Sequence, residues 1–307
     1  MLPIELREYP AFWRAPGIKA WRPILAIVLG AIGFLVISVV IGFVGVVAEV
    51  VVSGRPFESV AGQLAAGDVT PTIVLANSVS LGLLIPLSFL LSRLVGQHGG
   101  WISSVVKGVR WGWLMKCFVV SLIAVGGLIA VSVLFEWESL ELSLRDGWWW
   151  LLIGIILVTP FQAAGEEYLI RGVLNRGVAS LIPARLVGAI AGAVVSSVVF
   201  MYLHGAGDPW LNVVYFSMGM LFSYLTWRTG GLEASVAMHA ANNLVAMMFL
   251  PFQDIRDLFD RTEGVGDPTV LLQLVVLAGA SAIIVAMARR LNVARSSAPG
   301  VGMMPAR

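Results

Sequence analysis

The sequence predicts an all-α, polytopic bundle of about eight transmembrane helices with both termini on the cytoplasmic side, and three observations carry that prediction. Hydrophobic residues make up 58% of the 307-residue chain and charged ones 12%, against roughly 45–50% and about 25% in soluble domains. The apolar residues gather in runs of about 18 or more, enough helix to cross a ~30 Å hydrocarbon layer. The Lys and Arg residues concentrate in alternate connections. A water-soluble monomer is excluded, and a net charge of +2 without a basic stripe gives no case for nucleic-acid binding. The single cysteine, Cys117, excludes an internal disulfide and a cysteine-based metal site.

Residues 1–23 hold Arg7, Arg14, Lys19, Arg22 and four prolines. They lack an early apolar core and a small-residue cleavage site, so they read as a cytoplasmic N-terminal segment and not a removable signal. The predicted spans are 24–52, 72–92, 112–135, 148–165, 187–204, 210–227, 234–252 and 268–288, within a bundle of 24–290. If the helix ends alternate, one side receives the N-terminal segment, 93–116, 171–186, 228–233 and the C-terminal tail, with 16 of the 20 Lys and Arg. The positive-inside rule makes that side cytoplasmic. The other side keeps Arg55, Arg145, Arg256 and Arg261 among many acids, including Glu138, Glu141, Asp254, Asp257 and Asp260. Trp148, Trp149 and Trp150 open the fourth run where an interfacial aromatic belt belongs, and glycines within the spans read as helix-packing positions. Segment 291–307 reads as a flexible tail. The implied location is the plasma membrane of a bacterium.

A few polar residues are not explained by a bundle in lipid. Glu166 and Glu167 are adjacent, about 100° apart on a helix, and Arg171 shares a face with Glu167. Arg171 can hold Glu167 ionised while Glu166 faces a cavity. Two of the three histidines, His204 and His239, fall at span positions, and Asn243 lies one turn beyond His239. His98 lies in a loop and reads as incidental. Ionisable groups at membrane depth face the bundle interior or water and mark function. A glutamate can deprotonate water for attack on a peptide carbonyl, and histidine and asparagine can donate to the resulting oxyanion. Alternatively, Glu166, His204 and His239 form one carboxylate and two imidazoles, a ligand set for zinc or another divalent metal with an open position. No His-Glu-x-x-His segment supports the metal. Ser196 and Ser197 precede His204 by about two turns, without a nucleophile elbow, and read as packing residues.

Glu166-Glu167-Tyr168-Leu169-Ile170-Arg171, then Phe200-x-x-x-His204, then His239-x-x-x-Asn243 resembles the three-motif pattern of the CAAX-type prenyl endopeptidase and bacteriocin-processing family of intramembrane proteases. Gly172 and the turn Trp227-Arg228-Thr229-Gly230-Gly231-Leu232 support the resemblance, which covers roughly 148–250. It implies a peptide hydrolase, glutamate protease or metalloprotease, in an eight-helix bundle whose cavity opens toward the cytoplasm. Glu166 would be the water-activating base and Glu167 its support, paired with Arg171. His204, His239 and Asn243 would position water and stabilise the oxyanion. Substrates would be lipidated, membrane-anchored or amphipathic peptides and proteins.

Simple alternation leaves one conflict. Glu166 lies near the cytoplasmic end of its run while His204 finishes the next, and 18 residues of helix span about 27 Å. The prediction that resolves it is one long helix from Trp148 to Val178, which sets Glu166 deeper and brings His204 within about 10 Å. Two other functions fit intramembrane acids and histidines: an ion- or proton-coupled transporter, which would show repeated or broken helices, and a catalytically silent scaffold, which would tolerate loss of Glu166.

Overall fold

The computed structural model describes residues 1–136, 143–144, 146–252, 255, 259–260 and 261–301. Arg145, Arg256, Glu138, Glu141, Asp254 and Asp257, on which part of the charge asymmetry rests, lie outside the described residues, as does the end of the tail. The chain is a helix bundle: α1 (Trp21–Ser53), α2 (Phe57–Ala65), α3 (Pro71–Gly82), α4 (Leu84–Val95), α5 (Gly100–Ser103), α6 (Trp111–Glu136), α7 (Trp148–Glu167), a π-helical segment (Tyr168–Asn175), α8 (Arg176–Leu181), α9 (Arg185–Leu203), α10 (Pro209–Thr229), α11 (Glu233–Met247) and α12 (Val270–Arg290). A two-residue antiparallel ladder pairs Arg7–Glu8 with Ser296–Ser297, a small addition to the predicted all-α class.

Six helices among the described residues are long and apolar enough to cross a membrane, not eight: α1, α3 with α4, α6, α7 through α8, α9 and α12. The two predicted spans that fall short are α10 and α11. The α11 helix has 15 residues, and Glu233 through Asn242 are buried without interruption. It is a central helix wrapped by protein, so it can carry Glu233, Ser235, His239 and Asn242 inside the bundle. On α1, by contrast, Val39, Phe43 and Val51 are largely exposed, as lipid-facing residues are.

The predicted long helix exists and runs further, from Trp148 to Leu181, with a π-helical stretch where the motif arginine sits. Its close approach to α3 depends on Gly165, where a Cβ would overlap the Leu81 carbonyl oxygen. On the other side α9 returns antiparallel. Gly192 lies over the Asn175 carbonyl, Asn175 Nδ2 donates to Ser196 Oγ at 3.4 Å, and Arg171 lies 4.5 Å over the Phe200 ring. As α9 advances from Gly192 and Ser196 to Phe200, its partner on the long helix moves back from Asn175 to Arg171, so His204, one turn further on, comes level with about Glu167. The 27 Å conflict disappears because α7 continues past its motif before α9 begins.

The connections predicted to share one side meet at one end. Gln97 Nε2 donates to the Phe12 carbonyl at 3.0 Å, Arg14 to that of Pro183 at 2.6 Å and Arg110 to that of Ala294 at 3.1 Å; Ser104 bridges to Gly231. The N-terminal segment is part of the core there. Tyr9, Phe12 and Trp13 are fully buried around the Arg176 guanidinium, which lies 3.8 Å from the Tyr9 ring centre and donates to the Trp101 carbonyl at 2.9 Å. Such a buried cation is held by ring faces and carbonyl oxygens without a carboxylate partner among the described residues. The described part of the tail is likewise docked, not free. Its β-pairing brings Arg295 within 3.7 Å of Glu8, and Glu8 also accepts from Arg185 Nε at 2.9 Å and Trp227 Nε1 at 2.7 Å. Burial pushes the Glu8 carboxyl up, but these donors outweigh it and hold the group below the usual carboxylate range.

Candidate active site

The long helix delivers two carboxylates with different surroundings. Glu167 points into the bundle and is fully buried, with Arg171 Nη1 at 2.9 Å, and neither side chain is exposed at all. Arg171 also donates to the Gly219 carbonyl at 3.3 Å and lies over Phe200 and Phe222. Glu166 turns instead into a cavity of about 1370 Å³, which His204, His239, Asn243 and Gln162 also line. The sequence-derived division between a supported carboxylate and a cavity-facing one therefore appears in the geometry.

His239 joins the two. Its Nδ1 lies 3.0 Å from Glu167 Oε1 and its Nε2 3.9 Å from Glu166 Oε2, while its ring stacks on Phe222 at 5.2 Å. With Nδ1–H donated to Glu167, a neutral ring presents its Nε2 lone pair on the Glu166 side. His204 caps α9. Its Nδ1 is 2.7 Å from the Phe200 carbonyl, and a carbonyl only accepts, so Nδ1 carries the proton and Nε2 is left for the cavity. Asn243 Nδ2 donates to Gln162 Oε1 at 3.0 Å, and Gln162 Nε2 donates to Glu166 Oε1. The amide chain Asn243–Gln162–Glu166 thus fixes one carboxylate oxygen. His98 lies away from this site, its Nδ1 accepting the Gly100 N–H. Ser196 and Ser197 return their hydroxyls to the Ala193 carbonyl, as packing residues do.

Three cavity residues were missed. Gln162 sits one turn before Glu166 in an otherwise apolar stretch, a signal as readable as Asn243 after His239. The Tyr215 ring stacks on His204 at 4.0 Å and 25°, and its hydroxyl accepts from Arg261 Nε at 3.0 Å. Neither has a spacing signal, because both reach the cavity through tertiary packing.

Among the described residues no three His, Cys, Asp or Glu side chains converge as ligands. Glu166, His204 and His239 share the cavity, with Glu166 Oε1 held by Gln162 and the His204 ring lying flat against Tyr215.

The cavity lies toward one end of the bundle. The connections lining it are Ala66 to Val69, Gly205 with Gly207, and Phe259 to Thr262. All belong to the end opposite the docked termini. The cavity therefore lies toward the end with few Lys and Arg, where α9 and α11 finish and loops lie above the site.

Residues 147–245 match the family of type II CAAX prenyl endopeptidases, Rce1-like. The matched segment runs from the start of α7 into the last turn of α11 and contains every motif residue of the site. A relative in Bacillus subtilis (strain 168), the uncharacterized protein YyaK, is 31% identical over 128 residues, covering 38% of this chain and 41% of its own length. The chain thus spans less than half of the curated relative it matches. No solved structure matches.

Proposed function

We propose that the protein is an intramembrane endopeptidase that hydrolyses a peptide bond in a membrane-associated substrate through water activated by Glu166. The observation that carries this reading is one cavity into which Glu166 and His239 both face, with Glu167 and Arg171 buried behind them. Glu166 removes a proton from water as the water oxygen attacks the carbonyl carbon. The carbonyl π electrons move onto oxygen, giving a tetrahedral oxyanion. When the intermediate collapses, the C–N bond breaks and the proton on Glu166 goes to the leaving nitrogen. The products are a carboxylic acid and an amine.

Glu167 works through His239, fixing the ring by its Nδ1–H, and Arg171 supplies the countercharge. Asn243 keeps a second amide N–H beyond the one given to Gln162, and that donor serves the oxyanion. Since Nδ1–H of His204 is committed to Phe200, His204 donates to the oxyanion only as an imidazolium. The family similarity supports a membrane-associated substrate. The basic end, with both termini, is assigned to the cytoplasm by the positive-inside rule, so the cavity takes substrate from the extracytoplasmic face of a bacterial plasma membrane.

The decisive experiment is Glu166→Gln in the full-length protein in nanodiscs, assayed against fluorogenic membrane-tethered and lipidated peptides. Glutamine keeps the shape and removes the base. Loss of cleavage by at least 100-fold at parental helicity and thermal stability supports the reading, and retained turnover in the folded variant ends it.

A further inference from the structure

Arg261 is the only cation among the described residues that line the cavity, where the other charged side chains are Asp68, Glu166 and Asp260. Its position is built. Its carbonyl oxygen accepts from the Gly207 N–H at 2.8 Å. Three residues on, the Gly264 N–H donates to Asp208 Oδ2 at 3.0 Å, and Asp208 Oδ1 caps α10 at the Trp210 and Leu211 N–H groups. Asp260 makes no ion pair with the arginine among the described residues; its Oδ1 accepts the Thr262 N–H and hydroxyl at 2.9 and 2.8 Å. The guanidinium is oriented by one bond, Nε to Tyr215 Oη at 3.0 Å, and lies 5.6 Å from the Phe259 ring centre. Its Nη1 and Nη2 make no hydrogen bond among the described residues.

A half-buried guanidinium that lines the cavity, held at Nε and with no partner for either terminal nitrogen among the described residues, presents a planar fork that matches a carboxylate. Tyr215 connects it to the site, its ring lying against His204. We propose that Arg261 is a specificity-determining residue that receives a carboxylate of the peptide substrate, supplied either by its free C-terminus or by an acidic side chain. The proposal rests on the cavity holding a peptide, as in the function above. It adds that the peptide lies with its anionic end at the loops above the site and its scissile bond toward Glu166.

The test measures binding separately from turnover. Three dansyl-labelled apolar peptides are used: one with a free C-terminal acid, its C-terminal amide, and an amide with one internal glutamate. Affinity is read by fluorescence anisotropy on the full-length Glu166→Gln protein in nanodiscs, with Arg261 intact, Arg261→Gln or Arg261→Lys. The expected result is that a carboxylate-bearing peptide binds about tenfold tighter than the plain amide. That preference disappears in Arg261→Gln and partly survives in Arg261→Lys, while amide binding stays the same. Preference for the acid peptide assigns the carboxylate to the C-terminus, and preference for the glutamate peptide assigns it to a side chain. Equal binding of all three peptides, no binding of any, or a preference that survives Arg261→Gln overturns the proposal. Carboxylate-dependent binding through Arg261 alongside absent cleavage by the parent would instead remove the hydrolase reading alone.

Discussion

Replacing Arg171 by methionine should cost the fold about 3–5 kcal/mol, because the change removes one half of an ion pair that water does not reach. The two side chains are 0% exposed and 2.9 Å apart. Methionine roughly fills the arginine stem, so the loss is dominated by charge and not by a cavity. Stranding one member of a buried pair typically costs about 3–5 kcal/mol, and loss of the guanidinium over the Phe200 and Phe222 rings, 4.5 and 5.4 Å away, acts in the same direction. The partner substitution separates stranded charge from lost packing. In Glu167→Gln/Arg171→Met no charge remains to be stranded, so the double variant should be more stable than Arg171→Met alone by about 2 kcal/mol or more. The assay is equilibrium unfolding in mixed micelles followed by circular dichroism. A single variant within about 1 kcal/mol of the parent, or a double variant less stable than the single one, would refute the argument. Activity should not return with stability, because His239 loses the carboxylate that fixes its ring.

The remaining expectations address the cavity and its walls. Gln162→Leu cuts the link from Asn243 to Glu166 and should lower kcat about tenfold with little change in KM, since Gln162 orients the base without holding substrate; parental kcat would show that Glu166 is positioned by other means. Gly165→Ala places a methyl group on the Leu81 carbonyl, forcing α7 from α3 at a cost of about 1–3 kcal/mol, and an unchanged melting temperature would contradict the close approach. Thr262→Cys at the cavity end should react with a membrane-impermeant maleimide in intact cells, whereas exposed Lys107→Cys at the opposite end should react only after permeabilisation, Cys117 being buried. The reverse pattern would invert the assigned orientation.

Much of the site was legible because its residues are anomalies against a simple background. In a chain where lipid explains almost every apolar run, Glu166, Glu167, His204, His239 and Asn243 stand out, and their i,i+4 spacings reveal which share a face. The long helix was legible for the same reason, since only its extension could reconcile the depths of two motifs. Hydropathy failed where environment and composition separate. The α11 helix has no lipid to face, and α10 is diluted by polar residues such as Asn212, Ser217 and Ser223, so neither meets the criterion for crossing a membrane. The aromatics of the N-terminal segment were invisible as core because their partner, Arg176, lies more than 160 residues away in a stretch that reads only as a mixed connection.

The direction of the cavity follows from helix lengths more than from any motif. The α7–α8 rod has 34 residues, while its neighbours α9 and α11 have 19 and 15. All three reach the basic end, where Arg14, Arg110 and the paired termini hold the connections together. The shortfall therefore accumulates at the other end. There α9 stops at His204, level with about Glu167, and the chain turns through Gly205 and Gly207 beneath the loop that carries Arg261. Short helices beside a long one create a depression whose floor is the polar motif and whose rim is the connecting loops. The same length mismatch that exposes Glu166 to the cavity sets that cavity toward the end of the bundle opposite the docked termini.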